Sequence, residues 1–175
     1  MSEEVDWALD QLASVVDDQP ADHSLRRVDR DDSEVYETGQ TVDMETPIHD
    51  RTGQLEKANF VGVSLADRAP TPIGTSFDYD LETVLGVRIE GLTADGGEWG
   101  HIDPDGADGV PFDGAGGLVP QIRAALLANR TFPDAGRPAV DYTDVRTANE
   151  VNQSSNYSDY FRYDFDLVFS GYEEL

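Results

Sequence analysis

The sequence predicts an α+β domain: an antiparallel, or mixed, sheet with two helices packed on one face and long loops between elements. Three observations predict it. Near the end of the chain Phe161, Tyr163, Phe165, Leu167 and Phe169 alternate with Arg162, Asp164 and Asp166. That period of two marks a strand with one buried and one wet face, which antiparallel sheets permit. Near the start Val5, Leu9, Leu12 and Val16 fall at i, i+4, i+7 and i+11 with Ala8 beside them, the stripe of an amphipathic helix. Leu118, Ile122, Ala125 and Leu126 mark a second helix. The order helix, strands, helix, two long strands suits helices gathered on one side of a sheet.

Taken in order, the first helix spans Glu3–Asp18, with Ser2 as its cap, Glu3 and Glu4 at its positive start, and Gln19-Pro20 as its stop. Trp7 lies off the apolar stripe and either covers a neighbouring loop or contacts a partner. Ser24–Val35 reads as a short strand or hairpin anchored by Leu25 and Val28. Residues 36–56 are weakly patterned and polar, a loop or arm with room for a short strand near Val42–Ile48. Phe60–Leu65 is a strand by its alternation, and Pro70-Thr71-Pro72 holds the chain extended beyond it. Thr75–Asp80 forms an edge strand or a loop, and Glu82–Glu90 a strand with Leu85, Val87 and Ile89 on one side.

Residues 95–117 form a Gly- and Asp-rich loop too long and polar to be an incidental connection, so it is either functional or partly disordered. Within it Trp99 and Phe112 either bury themselves in a partner or pack the loop onto its own domain. Leu118–Asn129 is the second helix, with Pro120 in the first turn where its missing N–H costs nothing. Val140–Val151, with Tyr142, Val145 and Thr147, forms a strand, and the polar turn 152–156 returns the chain to the closing strand. Trp7, Trp99, Phe112 and Tyr142 are therefore the candidate partner-contact residues. No internal repeat is visible, and 175 residues fit a single domain over 1–175.

Composition narrows the function classes. Hydrophobic residues make up 38%, below the usual share of about 45–50%, a figure that also counts Gly; the core is lean. There are 36 acidic and 12 basic residues, a formal charge of −24, and Lys57 is the only lysine. Such a charge drives the compact state apart in dilute buffer. In molar salt the screening length falls to about 3 Å and the repulsion fades. The acids run from Glu3 to Glu174 instead of clustering as in a nucleic-acid mimic, so the surface reads as salt-adapted. With no cysteine, disulfides and thiolate-held metals are excluded. The opening Met1–Asp6 has neither a basic region nor an apolar stretch, and no apolar run approaches the length of a membrane span. A cytosolic protein, or one in a particle assembled there, is expected.

Motifs for chemistry are wanting. Asp103, Asp105, Asp108 and Asp113 crowd one loop, but Ala107 and Asp108 stand where an EF-hand needs a ligand and a glycine. His23, His49 and His101 are too scattered for a zinc site. The run Gly114-Ala115-Gly116-Gly117 before the second helix lacks the lysine of a phosphate loop. No nucleophile, base and orienting group converge in the sequence. No catalytic, metal-binding or cofactor-binding residue is assigned, and no enzyme is expected. The eleven arginines are dispersed, with Arg26-Arg27 the only adjacent pair, and phosphate binding through counterion release is weak in high salt.

The helix Glu3–Asp18, the strand Val84–Glu90, the helix Leu118–Asn129 and the closing strand Tyr160–Phe169 follow one another in an order that resembles the tail terminator (tail completion) proteins of tailed viruses, over about two thirds of the chain. The resemblance implies a tail-terminator-like fold and a structural role in the neck of a haloarchaeal virus. The chain would form a hexameric ring that caps the tail tube and joins it to the head-side connector, with DNA passing through the lumen unbound. It implies no catalytic residues, no cofactor and no membrane. Residues 36–56 and 95–117 depart from a minimal terminator and would be arms or loops reaching neighbours. Another neck or tail component (a head–tail adaptor or tail tube subunit) and a monomeric halophilic binding domain are the alternatives.

Overall fold

A computed structural model describes residues 3–19, 24–36, 38–72, 78–92, 99–100, 110–112, 116–128, 140–153 and 160–174. Its frame is two long neighbouring strands, β4 (Asp78–Leu92) and β8 (Tyr160–Glu174), paired antiparallel along their whole length. β3 (Asn59–Pro72) flanks β4 and β7 (Val140–Asn152) flanks β8, both antiparallel. β1 (Leu25–Asp29) lies parallel to the first residues of β3, and the two-residue β2 (Glu34–Val35) closes that edge antiparallel. The six-stranded sheet, ordered β2-β1-β3-β4-β8-β7, is therefore mixed. A separate ladder joins β5 (Trp99–Gly100) to β6 (Val110–Pro111).

The alternation in the sequence sets the faces. Val61 and Val63 of β3, Leu81, Leu85, Val87 and Ile89 of β4, and Phe161, Phe165, Leu167 and Phe169 of β8 are buried on one side. Two helical layers cover it. α1 (Glu3–Gln11) and α2 (Ala13–Asp17) bury Val5, Ala8, Leu9 and Val15, with Leu12 between them; α4 (Leu118–Ala128) buries Leu118, Val119, Ile122 and Leu126. The helical pattern extrapolates to Val16, yet Val15 takes the deeper place. The helix breaks at Leu12, and the restart shifts the phase by one residue. Each buried Phe or Leu adds about 1.5–3 kcal/mol. Phe112 closes the core, its ring stacked on Phe161 at 3.8 Å. That approach depends on Gly91, where a Cβ would come within 2.5 Å of the Phe112 ring.

Of residues 36–56, expected as a polar loop or arm, Tyr36 packs on the helix side, and from Thr41 on the chain instead lies, through Ala58, against the opposite face of the sheet. A 3-10 turn at Ile48–Arg51 runs into the short α3 (Thr52–Leu55), and Val42, Met44, Ile48, Leu55 and Ala58 bury themselves with Val28, Val35 and Phe60 in a second small core. No strand forms at 42–48; Thr41 alone bridges Glu34. The apolar residues are spaced too irregularly for helix or strand periodicity, so their common destination is not visible in one dimension. Gly62 leaves the room: a Cβ there would sit 2.4 Å from the Met44 sulfur. Among the described residues the sheet is sandwiched at this end and covered on one side at the other.

Candidate functional site: the second face of the sheet

The face turned away from α1 and α4 carries the polar half of each alternation, and it divides into two parts. Beneath residues 41–58 its charges are tied together. Glu90 of β4 is fully buried; one carboxylate oxygen accepts a short hydrogen bond from Arg51, the other accepts Nε and Nη2 of Arg162 at 3.0 and 2.8 Å. Arg88 donates to Asp164 at 2.8 Å, and Asp164 also accepts from Gln153. Arg30 donates to Glu45 at 2.7 Å and reaches the Gly86 carbonyl at 3.5 Å. Burial alone would lower the Arg88 guanidinium, but Asp164, with Glu90 and Glu45 behind it, carries it above its ordinary value. The Arg30 hydrogen bond holds the Glu45 carboxyl below its ordinary value. These pairs fasten the 41–58 segment to the sheet through side chains a linear reading assigns to solvent.

Past this segment no other described element covers the face. Asp80, Tyr172 and Asp141 form one row across β4, β8 and β7, and Glu82, Ser170 and Asp144 form the next. Tyr172 is 51% exposed and lines a shallow depression of about 360 Å³ with Asp80 and Glu82. The ion pair from Arg146 to Glu82 at 3.8 Å is half exposed on both sides and contributes little.

Both strand edges are blocked along this half. β1 leaves β3 after Asp29 pairs Val63, and the Asp31 carboxylate takes the Leu65 N–H at 2.9 Å. Beyond it Pro70 and Pro72 remove donors from the open edge of β3. On the far edge β7 is interrupted by irregularities at Tyr142/Asp144 and Ala148/Val151, with Asn149 at φ 53°. Bulges and prolines of this kind prevent a strand from adding to an edge.

The aromatic residues singled out from the sequence occupy other places. Phe112 is spent in the core, the packing alternative of the two open to it. Tyr142 is buried on the helix face; its hydroxyl donates to Glu4 at 2.8 Å and meets the Thr83 hydroxyl at 2.8 Å. Burial pushes this phenol up to about 12, with the Thr83 bond opposing and the Glu4 carboxylate reinforcing the shift. Trp7 is half-buried and sets its ring edge-on to Phe169, centroids 5.2 Å apart, so it covers the core. Trp99 starts the β5 ladder, and its side chain lies outside the described residues. His49 is exposed beside Asp50. His23, His101, the four loop aspartates and Gly114-Ala115 lie outside the described residues. Among the described residues no three His, Asp or Glu side chains are placed to hold a metal ion, and no helix is long and apolar enough to cross a membrane.

The chain matches no known protein-family model and no curated protein. Of the residues with the most to do on the second face, Arg26 and Lys57 stood out in the sequence only by their rarity, and Glu90, Arg51, Arg162 and Tyr172 were not singled out as site residues. The strict alternation of β4 and β8 places Glu90, Arg162 and Tyr172 on one face without saying what covers it.

Proposed function

We propose that the chain is a structural assembly subunit, a ring-forming tail terminator that caps the tail tube and joins it to the head-side connector of a halophilic tailed virus. The observation that carries the reading is the half-covered sheet. Residues 41–58 cover one half of the second face, and among the described residues no layer covers the other half, centred on the exposed Tyr172. A lean core gains stability when such a face is covered by another subunit. Because both edges are blocked, association runs through the face and not by strand addition. The grooves near this face are open and carry no converging nucleophile and base, which favours a structural role over a catalytic one. The resemblance in element order supplies the specific role.

The test is mass measurement in molar KCl followed by negative-stain imaging. A closed particle with a mass near six subunits is expected. Open filaments would reassign the chain to the tail tube, and a monomer at all concentrations would make it a binding domain and overturn the reading.

A further inference from the structure

In a chain with three acids for every base, unpaired cations are scarce. Among the described residues every arginine but one makes an ion pair or hydrogen bond: Arg27, for example, donates to the Leu9 carbonyl and Arg123 pairs with Glu150. The exceptions among the described cations are Arg26 and Lys57, the only lysine. Both line the same open groove of about 670 Å³ between β1 and residues 40–57. The groove also reaches Arg51, which is 96% buried by its 4% exposure and whose Nη1 has no hydrogen-bond partner; Gln54 offers a buried Oε1 in the same condition. Two free cations thus line one groove, together with two residues, Arg51 and Gln54, that each hold a buried polar atom without a partner.

We infer that this groove receives the acidic row of the bare face of a second copy, Asp80 and Asp141 on either side of Tyr172. The inference rests on the self-assembly proposed above and names its surfaces. Groove and row lie on the same side of the sheet but cannot meet within one molecule. Arg26 stands opposite Phe60 and Asp80 opposite Thr71, eleven residues apart along β3, about 36 Å at 3.3 Å per residue. Shape agrees with charge: the turn bearing Lys57 belongs to the extra layer on one half of the face, and the depression around Tyr172 lies beyond that layer. In molar salt screening acts within about 3 Å, so only charges brought into direct contact attract. A groove provides that contact where an open surface would not. The carboxylates Asp50 and Glu56 line the same groove. They disfavour the dense phosphates of a nucleic acid and tolerate two isolated carboxylates.

The full-length protein in molar KCl is the material for the test, with mass read by sedimentation and folding by circular dichroism. Reversing the groove (Arg26→Glu with Lys57→Glu) is expected to raise the concentration for half-assembly at least tenfold, and reversing the row (Asp80→Lys with Asp141→Lys) to do the same. Combining all four reversals is expected to restore assembly. An assembled wild type whose mass neither reversal changes overturns this contact and leaves the ring reading standing. A two-subunit particle sensitive to both reversals supports the contact and overturns the ring. Two folded reversals that each dissociate but do not rescue one another overturn the pairing. So does binding of a DNA duplex that only the groove reversal abolishes while assembly persists.

Discussion

Glu90 is the most consequential charge in the fold, and removing it has a predictable cost. It is 0% exposed and holds Arg51, 4% exposed, and Arg162, 12% exposed. Glu90→Ala leaves Arg51 buried without a counter-charge, which costs about 3–5 kcal/mol, a large part of the roughly 5–15 kcal/mol that holds a domain together. Arg51→Ala is milder. Glu90 then keeps both hydrogen bonds from Arg162, at 3.0 and 2.8 Å, and the loss is one charge-assisted bond, about 1.5–3 kcal/mol. Arg51→Met, Glu90→Met and Arg162→Met together remove every member, and the triple variant should be at least as stable as Arg51→Ala, since well-packed apolar replacements of a buried ion cluster are often neutral or stabilising. Urea denaturation in molar KCl, followed by circular dichroism, ranks the three. Raising the salt further should leave the gap between Glu90→Ala and the wild type unchanged, because buried pairs are little screened. An Arg51→Ala variant as unstable as Glu90→Ala, or a triple variant as unstable as either, would refute the assignment of Glu90 as the hub.

Three other outcomes are expected. Phe165→Asp, at a residue 1% exposed in the helix-side core, should abolish folding by burying an unpaired carboxylate; a soluble variant with a native circular dichroism spectrum would show the faces to be reversed. Dilution from molar salt to roughly 0.1 M should unfold the wild type, because a charge of −24 is then unscreened; an unchanged spectrum would refute salt adaptation. Asp29 accepts the N–H groups of Asp31 and Asp32 with one oxygen and buries the other without a partner. Burial raises its pKa above 3.8 against the pull of the Asp32 N–H. The folded state thus keeps this proton at a pH where the unfolded chain has lost it, and the group's contribution to stability falls as pH rises through the window above 3.8. Asp29→Asn should remove that part of the slope, and urea midpoints measured across the window would refute it by staying parallel to those of the wild type.

The helix-covered half of the fold was legible because each of its elements is periodic. Phe161 to Phe169 and Leu85 to Ile89 repeat every two residues, Val5 to Leu12 on a helical stripe, and periodicity is a local property. Residues 36–58 were not legible for the opposite reason: Val42, Met44, Ile48, Leu55 and Ala58 share a destination and no period, so only the fold brings them to Phe60. The same limit hid the site. Arg162 and Glu90 read as wet-face residues because alternation says which side a residue takes and not whether another layer covers that side. Phe112 misled in the other direction, since a large apolar residue in a polar loop looks available to a partner until Gly91 is seen to leave it a seat on Phe161. Lys57 was conspicuous as the only lysine, but its lack of a partner is a three-dimensional fact.

Which part of the bare half would carry an assembly follows from how the chain guards its edges. A neighbour adding as a strand would need an uninterrupted ladder, and β3 meets it with Pro70 and Pro72 while β7 meets it with two register breaks. Those devices suppress edge-to-edge growth. They do nothing to the face, where Tyr172 stands half exposed between Asp80 and Asp141. In a strongly acidic chain, an aromatic flanked by carboxylates stays soluble alone and becomes adhesive only where a partner brings cations, and the groove at Arg26 and Lys57 is where this chain keeps two of them unpaired. Tyr172→Ala separates the face from the charges: it should weaken assembly with the groove intact, whereas an edge-mediated assembly would not register the change.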